Sequence, residues 1–510
     1  MKLLLVALVA VLALSVPRTT AQTISAEALE AFVDSLSTDA NVFVNTSSGF
    51  ENVTGHFHSK AIESPAAPQL VVQAAEADDV IATVNFAREN GLNFGVKGGT
   101  HGYEGIAMPD KGVLLDLTLM RKVTVKSNTV EYEAGVNCGD IDSALSDTTR
   151  AAVCGNCYVV GSGFIAHGGY GALSRRHGLA IDNLVSVDLV TYEGELLTVS
   201  EASHPDLFWA VRGALPNFGV AVKFVVKTHD ISSYYGGSFA APALPEVFLA
   251  TSAWVAEQAE DPDFHARMTF IALPGGARLL SLEVTLWGDR NTTEKEAFFE
   301  GLSEITDWQE NLGVGTYFDQ QSANNMAIDA SPVLAMGYTR AGSNELGTEE
   351  FFTTFFDHWV NTTSTSPAAI NLWGGAISEV PRNATAFWGR GIVFDWFLTA
   401  TFLELPDDLE AVESQLEAAQ DQLNSLEGAT EDVYTNWLSP NEDGVLERIY
   451  GNNLERLKQL KATYDPENFF KSNFNIEPAA TDGDSSADGD SSADGEDGSS
   501  ASTTKPFAWF

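Results

Sequence analysis

The chain has 510 residues, 44% hydrophobic and 19% charged, a globular composition with length enough for two domains. Its 70 acidic residues against 28 basic ones give a formal net charge of −42, which opposes phosphate backbones and anionic membrane surfaces and excludes nucleic acid as a partner. With only three cysteines, Cys138, Cys154 and Cys157, a hydrophobic core and not a disulfide scaffold must hold the fold.

The N-terminus, MKLLLVALVAVLALSVPRTTAQT, reads as a secretory signal: one lysine, an apolar run from Leu3 to Leu14, then small residues. Residues 1–21 are expected to be removed after Ala21, because the apolar run falls far short of the ~20 residues of a membrane span. No later segment is apolar for long enough to span a bilayer, so a soluble, extracellular mature protein is predicted. Five sequons, at Asn45, Asn52, Asn291, Asn361 and Asn383, predict N-glycans on its surface.

Ser25 is placed to cap a helix over SAEALEAFVDSLS. PQLVVQAAEADDVIATVNFARENGLNFGVKGG then predicts strand, helix and strand, with apolar residues at helical spacing in its middle. GVLLDLTLM and KVTVKSNTVEYEAG read as strands, LVSVDLVTYEGELLTVS as a hairpin turning at Glu193–Gly194, and VAVKFVVKTH as a further strand. From about Gly236 the texture changes. Long alternating strands, RLLSLEVTLWG and GIVFDWFLTATFL, are interleaved with helices such as DDLEAVESQLEAAQDQLNSLEG, the pattern of a sheet covered by helices on one face. The chain is predicted to be α+β, with a first domain over 22–236 and a second over 237–439. A segment over 440–478, containing the helix of YGNNLERLKQLKATYDPENFF, is expected to return to the first domain. Residues 479–510 repeat DGDSSA at 482 and 488 and predict a disordered acidic tail. Its final FAWF is either a docking motif or a free end.

Two glycine-rich runs carry reactive side chains. KGGTHGYEG, 97–105, holds a histidine, and CYVVGSGFIAHGGYG, 157–171, opens on a cysteine. Backbone without side chains lets a loop cradle a diphosphate or approach a bulky planar ligand. The plainer readings are a tight turn with an incidental histidine, and a Cys157 that is a buried thiol or is bonded to Cys154. No G-x-G-x-x-G follows a strand and opens a helix here, so a Rossmann fingerprint is absent.

In this order KGGTHGYEG, CYVVGSGFIAHGGYGALSRRHGLAIDNLVSVDLVTYEG, HPDLFWAVRGALPNFGV and YGNNLERLKQLKATYDPENFF resemble the secreted FAD-linked oxidases of the berberine bridge enzyme type, within the vanillyl-alcohol oxidase superfamily. The resemblance covers roughly residues 40–478. It implies a two-lobed FAD-binding domain and a substrate domain whose antiparallel sheet is covered by helices. It also implies FAD attached twice, through a ring nitrogen of His101 to the 8α-methyl and through a thioether from Cys157, whose thiolate is the nucleophile. The family's Arg-x-Gly-Gly-His stands here as Lys97-Gly98-Gly99-Thr100-His101, with lysine keeping a positive charge near the diphosphate and threonine replacing a glycine. Gly102, Val160, Gly161, Gly163, Gly168 and Asn475 are the remaining cofactor residues implied, while Phe164 and His167 occupy positions usually held by glycine. Cys154 is then spare, available for a disulfide with Cys138.

The resemblance further implies an oxidase that releases hydrogen peroxide, since valine at position 160 goes with access of O2 to the flavin edge. In VYTNWLSPNED, similar to the family's Tyr-x-Asn-Tyr strand, Tyr434 is the candidate base, provided its pKa falls well below ~10. Asp395 in GIVFDWFL is the candidate carboxylate, unless strand alternation points it outward. Trp437 and Trp373 either stack on a sugar ring or belong to the core. No metal site is expected. The resulting expectation is oxidation of the anomeric hydroxyl of a mono- or oligosaccharide to a lactone. The alternatives are a berberine-bridge-type oxidase of a secondary metabolite or other alcohol, and a non-catalytic secreted flavoprotein.

Overall fold

The alternating pattern of the C-terminal half resolves, in a computed structural model of the chain, into one antiparallel sheet of eight strands. The structure describes residues 24–54, 68–99, 101, 107–109, 111–231, 233–273, 276–288, 290–322, 335–361, 367–402, 408–439, 442–471 and 474–480. Across the sheet the order is Gln309–Gly315, Tyr234–Pro242, Arg278–Trp287, Phe264–Ala272, Ala368–Leu372, Phe394–Phe402, Ala335–Asn344 and Ala429–Thr430. Successive side chains on a strand point to opposite faces. Leu280, Leu282, Val284 and Leu286 therefore share a face with Phe264, Met268, Phe270, Ile370, Phe394 and Trp396, all buried. The helices Pro245–Glu257, Glu349–Asn361 and Leu409–Asn424 close over that face, adding Phe248, Phe355, Trp359 and Leu416. Burying a side chain of this size contributes about 1.5–3 kcal/mol. The opposite face carries the polar residues between them, among them Glu283, Arg267, Asn371 and Asp395.

Among the described residues the N-terminal half makes two smaller sheets and a two-stranded ribbon of Arg150–Ala151 with His229–Asp230. One has four strands in the order Asn41–Val44, Leu70–Gln73, Gly112–Asp116 and Asn93–Lys97, the last three parallel. The other has five antiparallel strands, Val123–Val125, Thr129–Glu133, Val220–Lys227, Leu184–Val190 and Leu196–Ser200. The last two are the expected hairpin, its turn closed by the Gly194 N–H on the Thr191 carbonyl at 3.0 Å. Ser25 caps the helix Ala26–Ser35, accepting from the Ala28 N–H at 3.1 Å. Helix Ala77–Glu89 lies between Leu70–Gln73 and Asn93–Lys97 in the chain, as its apolar spacing predicts.

The C-terminal helix Leu454–Tyr464 packs into the core of this half through Leu454 and Leu457. Its Lys461 ammonium is fully buried, donating to the Asp465 carboxylate at 2.5 Å, the Asn217 carbonyl at 2.8 Å and the Phe470 carbonyl at 2.9 Å. Asn217 in turn donates to the Phe474 carbonyl at 3.1 Å and accepts from the Ile476 N–H at 2.9 Å. These bonds explain why ALPNFGV and KATYDPENFF occur together: each satisfies buried polar groups of the other.

The five sequon asparagines are exposed. No helix among the described residues is long and apolar enough to cross a membrane. Residues 1–21, most of the tail, Thr100 and Gly102 lie outside the described residues.

Candidate active site

The two glycine-rich runs meet backbone to backbone. A Cβ on Gly99 would stand 2.8 Å from the Gly161 nitrogen, and one on Gly161 would stand 2.4 Å from the Gly99 nitrogen. These two glycines are thus required first by each other. Gly98 backs onto Ser162, whose hydroxyl donates to the Ala134 carbonyl at 2.6 Å. The contact brings the Cys157 Sγ to 3.6 Å from the His101 Nε2. Gly163 differs from its neighbours: a Cβ there would meet nothing within 4 Å. At Gly168 a Cβ would come within 3.5 Å of both the Phe387 and Tyr434 rings. His167 is buried, its Nδ1 3.3 Å from the Gly163 carbonyl and its ring edge-on to Phe474.

Burial dominates the electrostatics of this wall. It lowers His101 to about 4, with the Arg267 charge acting in the same direction, so the imidazole is neutral at pH 7. It pushes the Cys157 thiol up to about 12, helped by Cys138 and opposed by Arg267 and the Val159 and Val160 backbone. Cys157 therefore rests as a thiol and not as the expected thiolate, and the neutral His101 ring beside it is the base within reach. All three cysteines are free and buried. Cys138 Sγ accepts from the Gly155 N–H at 3.2 Å and neither it nor Cys154 is in a disulfide, against both pairings considered from the sequence. Lys97 also departs from expectation: its ammonium lies 2.6 Å from the Val53 carbonyl and 3.6 Å from Asp116, so its charge is matched inside the domain.

Val160 is half-buried against Gly155. The Asn217 clasp on Phe474 and Ile476 presents Asn475, whose Oδ1 is buried without a hydrogen-bond partner, as is that of Asn156. A buried acceptor left unpaired costs about 1–3 kcal/mol, so such atoms point to a ligand that pairs them. Two orphan acceptors, the uncrowded Gly163 and a neutral histidine beside a thiol fit a large flat group with a polar edge, and FAD has that chemistry.

The facing wall is the polar side of the eight-stranded sheet. Glu283, Arg267, Asn371, Asp395 and Ser343 are directly opposite one another on five successive strands and form one row. Asp395 points inward and is fully buried, which decides the question of alternation. Its Oδ2 accepts from Asn371 Nδ2 at 2.9 Å and Trp437 Nε1 at 3.0 Å, while Oδ1 has no partner. Burial raises its pKa to about 7, against the pull of those two bonds and of Arg267.

Tyr434 is not on a strand. It precedes a 3-10 turn, Thr435–Trp437, and its oxygen accepts from the Tyr170 N–H at 3.1 Å and from Asn436 Nδ2 at 2.7 Å. Burial outweighs these donors and holds the phenol well above its ordinary value, so the expected tyrosinate is not the resting form. Trp373 is core, stacked on Tyr170 with centroids 4.6 Å apart, and Trp437 stacks on Phe397 at 4.4 Å. Tyr170, whose hydroxyl donates to the Leu372 carbonyl at 2.7 Å, also belongs here, as do Asn371 and Arg267. The sequence reading missed all three, although Arg267 and Asn371 stand out as polar residues inside apolar strands.

Two family models match the chain, an FAD binding domain over residues 68–200 and "berberine and berberine like" over residues 433–477. An FAD-linked oxidoreductase of Dictyostelium discoideum is 29% identical over 446 residues, 84% of this chain and 92% of that protein. These matches make the chain similar to the berberine bridge enzyme-like FAD-linked oxidoreductases. Other proteins similar to it include a (R)-6-hydroxynicotine oxidase of Paenarthrobacter nicotinovorans, 26% identical over 471 residues, covering 87% of this chain and 98% of that one. A xylooligosaccharide oxidase of Thermothelomyces thermophilus is 26% identical over 456 residues, 81% of this chain and 88% of the relative. A solved xylooligosaccharide oxidase in complex with xylobiose shares the fold with a TM-score of 0.75 at 22% identity, over 89% of this chain and 100% of that chain. The match to an FAD binding domain makes FAD the cofactor.

Proposed function

We propose that this oxidoreductase is a secreted, glycosylated carbohydrate oxidase. It carries FAD bound covalently through His101 and Cys157, oxidises the anomeric hydroxyl of a mono- or oligosaccharide to a lactone, and yields hydrogen peroxide from O2. The observation that carries this reading is Asp395: a buried carboxyl with one oxygen held, one oxygen open, and a pKa near 7. Such a group suits a general base at neutral pH. FAD, when bound, supplies the two-electron acceptor and the route of the electrons to O2. Asp395 takes the proton of the substrate hydroxyl through its open oxygen. Tyr434, whose oxygen already accepts two hydrogen bonds, keeps its own O–H to donate to the substrate. Asn371 and Trp437 hold the carboxylate in place.

The xylooligosaccharide oxidase among the relatives supports a sugar, and the five exposed sequon asparagines support the secretory route. The (R)-6-hydroxynicotine oxidase at like identity favours the second reading, a secondary metabolite in the same cavity. Peroxide release from the purified protein over a panel of sugars, allylic and benzylic alcohols and hydroxylated N-heterocycles separates the two. Release with sugars is expected; release with the other classes alone assigns the second reading, and a yellow protein inert to all of them is a binding flavoprotein. Acid precipitation should leave a yellow pellet, and a colourless one refutes both covalent links. His101→Ala and Cys157→Ala should each leave one link intact.

A further inference from the structure

Arg267 is a cation set into the site with no ion pair among the described residues. Its cross-strand neighbours are Glu283 on one side and Asn371 on the other. Both are engaged elsewhere: Glu283 accepts from Gln320 Nε2 at 3.0 Å, and Asn371 donates its amide to Asp395. Among the described residues the Arg267 guanidinium has neither a hydrogen bond nor an ion pair, and its Nε is buried unpartnered. The interior arginines elsewhere are used up. Arg175 bonds four backbone carbonyls, Arg340 bonds Glu413 and Glu417, and Arg390 bonds both oxygens of Asp182. A guanidinium left open in a chain with 70 acidic residues is not short of partners for want of carboxylates. It stands in the same row as Asp395, and its charge acts on His101, Cys157 and Asp395 at once.

We propose that Arg267 determines specificity by binding a carboxylate on the substrate, so that the enzyme takes a uronic-acid sugar in preference to its neutral counterpart. A guanidinium fork grips a carboxylate with two parallel hydrogen bonds, a geometry that hydroxyls do not match. Arg267 and Asp395 stand two strands apart in the same row, about 9.5 Å between backbones, and one sugar ring spans the interval between their side chains. A hexuronic acid carries its carboxylate and its anomeric hydroxyl on the two carbons that flank the ring oxygen. The row thus offers one cation and one base to the two ends of the same ring. This inference rests on the carbohydrate reading above.

The test uses the holoenzyme and two matched pairs, D-glucuronate with D-glucose and D-galacturonate with D-galactose. Initial rates of peroxide release give kcat/KM, and titration against the flavin spectrum gives Kd without turnover. The acidic member of a pair should be favoured, and Arg267→Gln should lower the acidic-to-neutral ratio of kcat/KM by about 10–10²-fold, chiefly through KM. Arg267→Lys should restore part of it. An equal loss on acidic and neutral sugars overturns the inference, as does turnover of neutral sugars with no acidic binding; in the latter case the oxidase reading survives. Arg267-dependent binding of glucuronate or galacturonate without turnover would sustain the inference while refuting the oxidase reading.

Discussion

The two walls of the candidate active site are built by different means. The wall of His101 and Cys157 is backbone against backbone, with Gly99 and Gly161 so close that neither admits a Cβ. The wall of Asp395 and Arg267 is side chain beside side chain, five residues in line across five strands. The first tolerates no added atom. The second tolerates new side chains but no slippage, because a one-residue shift of register would turn a strand's polar residues under the helices. A cofactor shared by a whole family suits the rigid wall, and a substrate that differs between members suits the adjustable one.

The sharpest break in that comparison comes from Asp395→Asn, which should cut kcat by about 10²–10⁴-fold while leaving flavin content unchanged. Near-normal peroxide release would remove the sheet wall from the chemistry. In the intact enzyme, kcat/KM should rise with pH through about 7, because the base works only when ionised. Asn371→Ala deletes a hydrogen bond that favours the ionised form, so that limb should move to higher pH. Tyr434→Phe removes a donor and not the base, with an expected loss of about 10–10²-fold; a loss as large as that of Asp395→Asn would return the base to Tyr434.

On the other wall, Gly161→Ala should destabilise by about 1–3 kcal/mol in thermal or denaturant unfolding, since the methyl group meets backbone that has no room to yield. Gly313→Ala, in the strand Gln309–Gly315, should be close to neutral for stability, because its Cβ enters open space. Equal effects at the two positions would contradict the backbone contact.

The smallest effect lies away from both walls. His177 and His229 stack at 3.8 Å, and burial, then each neighbouring cation, lowers them to about 3 and 4. With folded pKa values below the unfolded 6.5, their contribution is present above pH 6.5 and lost as the pH falls towards 3. His177→Phe should flatten the fall in stability over that window, measured by the denaturation midpoint at pH 7 and pH 4.5.

Much of the fold was legible because local chemistry is short-ranged. Ser25 caps its helix through a residue three places on, and the Glu193–Gly194 turn closes a hairpin whose strands adjoin it. His101 and Cys157 were found through their glycine-rich settings, which repeat a family pattern. Lys97 was misread because its partner Asp116 comes from the adjacent parallel strand. The Tyr434 pKa was misread because burial, which no sequence spacing reports, outweighs the donors beside it. Cys138 and Cys154 are both buried, but as free thiols.

Sequence by itself marked His101, Cys157, Asp395 and Tyr434 as candidates and showed which segments alternate, since both follow from side-chain type and from periods of a few residues. Only tertiary structure decided that Asp395 faces Asn371, that Arg267 forms no ion pair among the described residues, and that Cys157 stays protonated. Each of these depends on strand register and burial, which exist only once separate segments of the chain fold against one another.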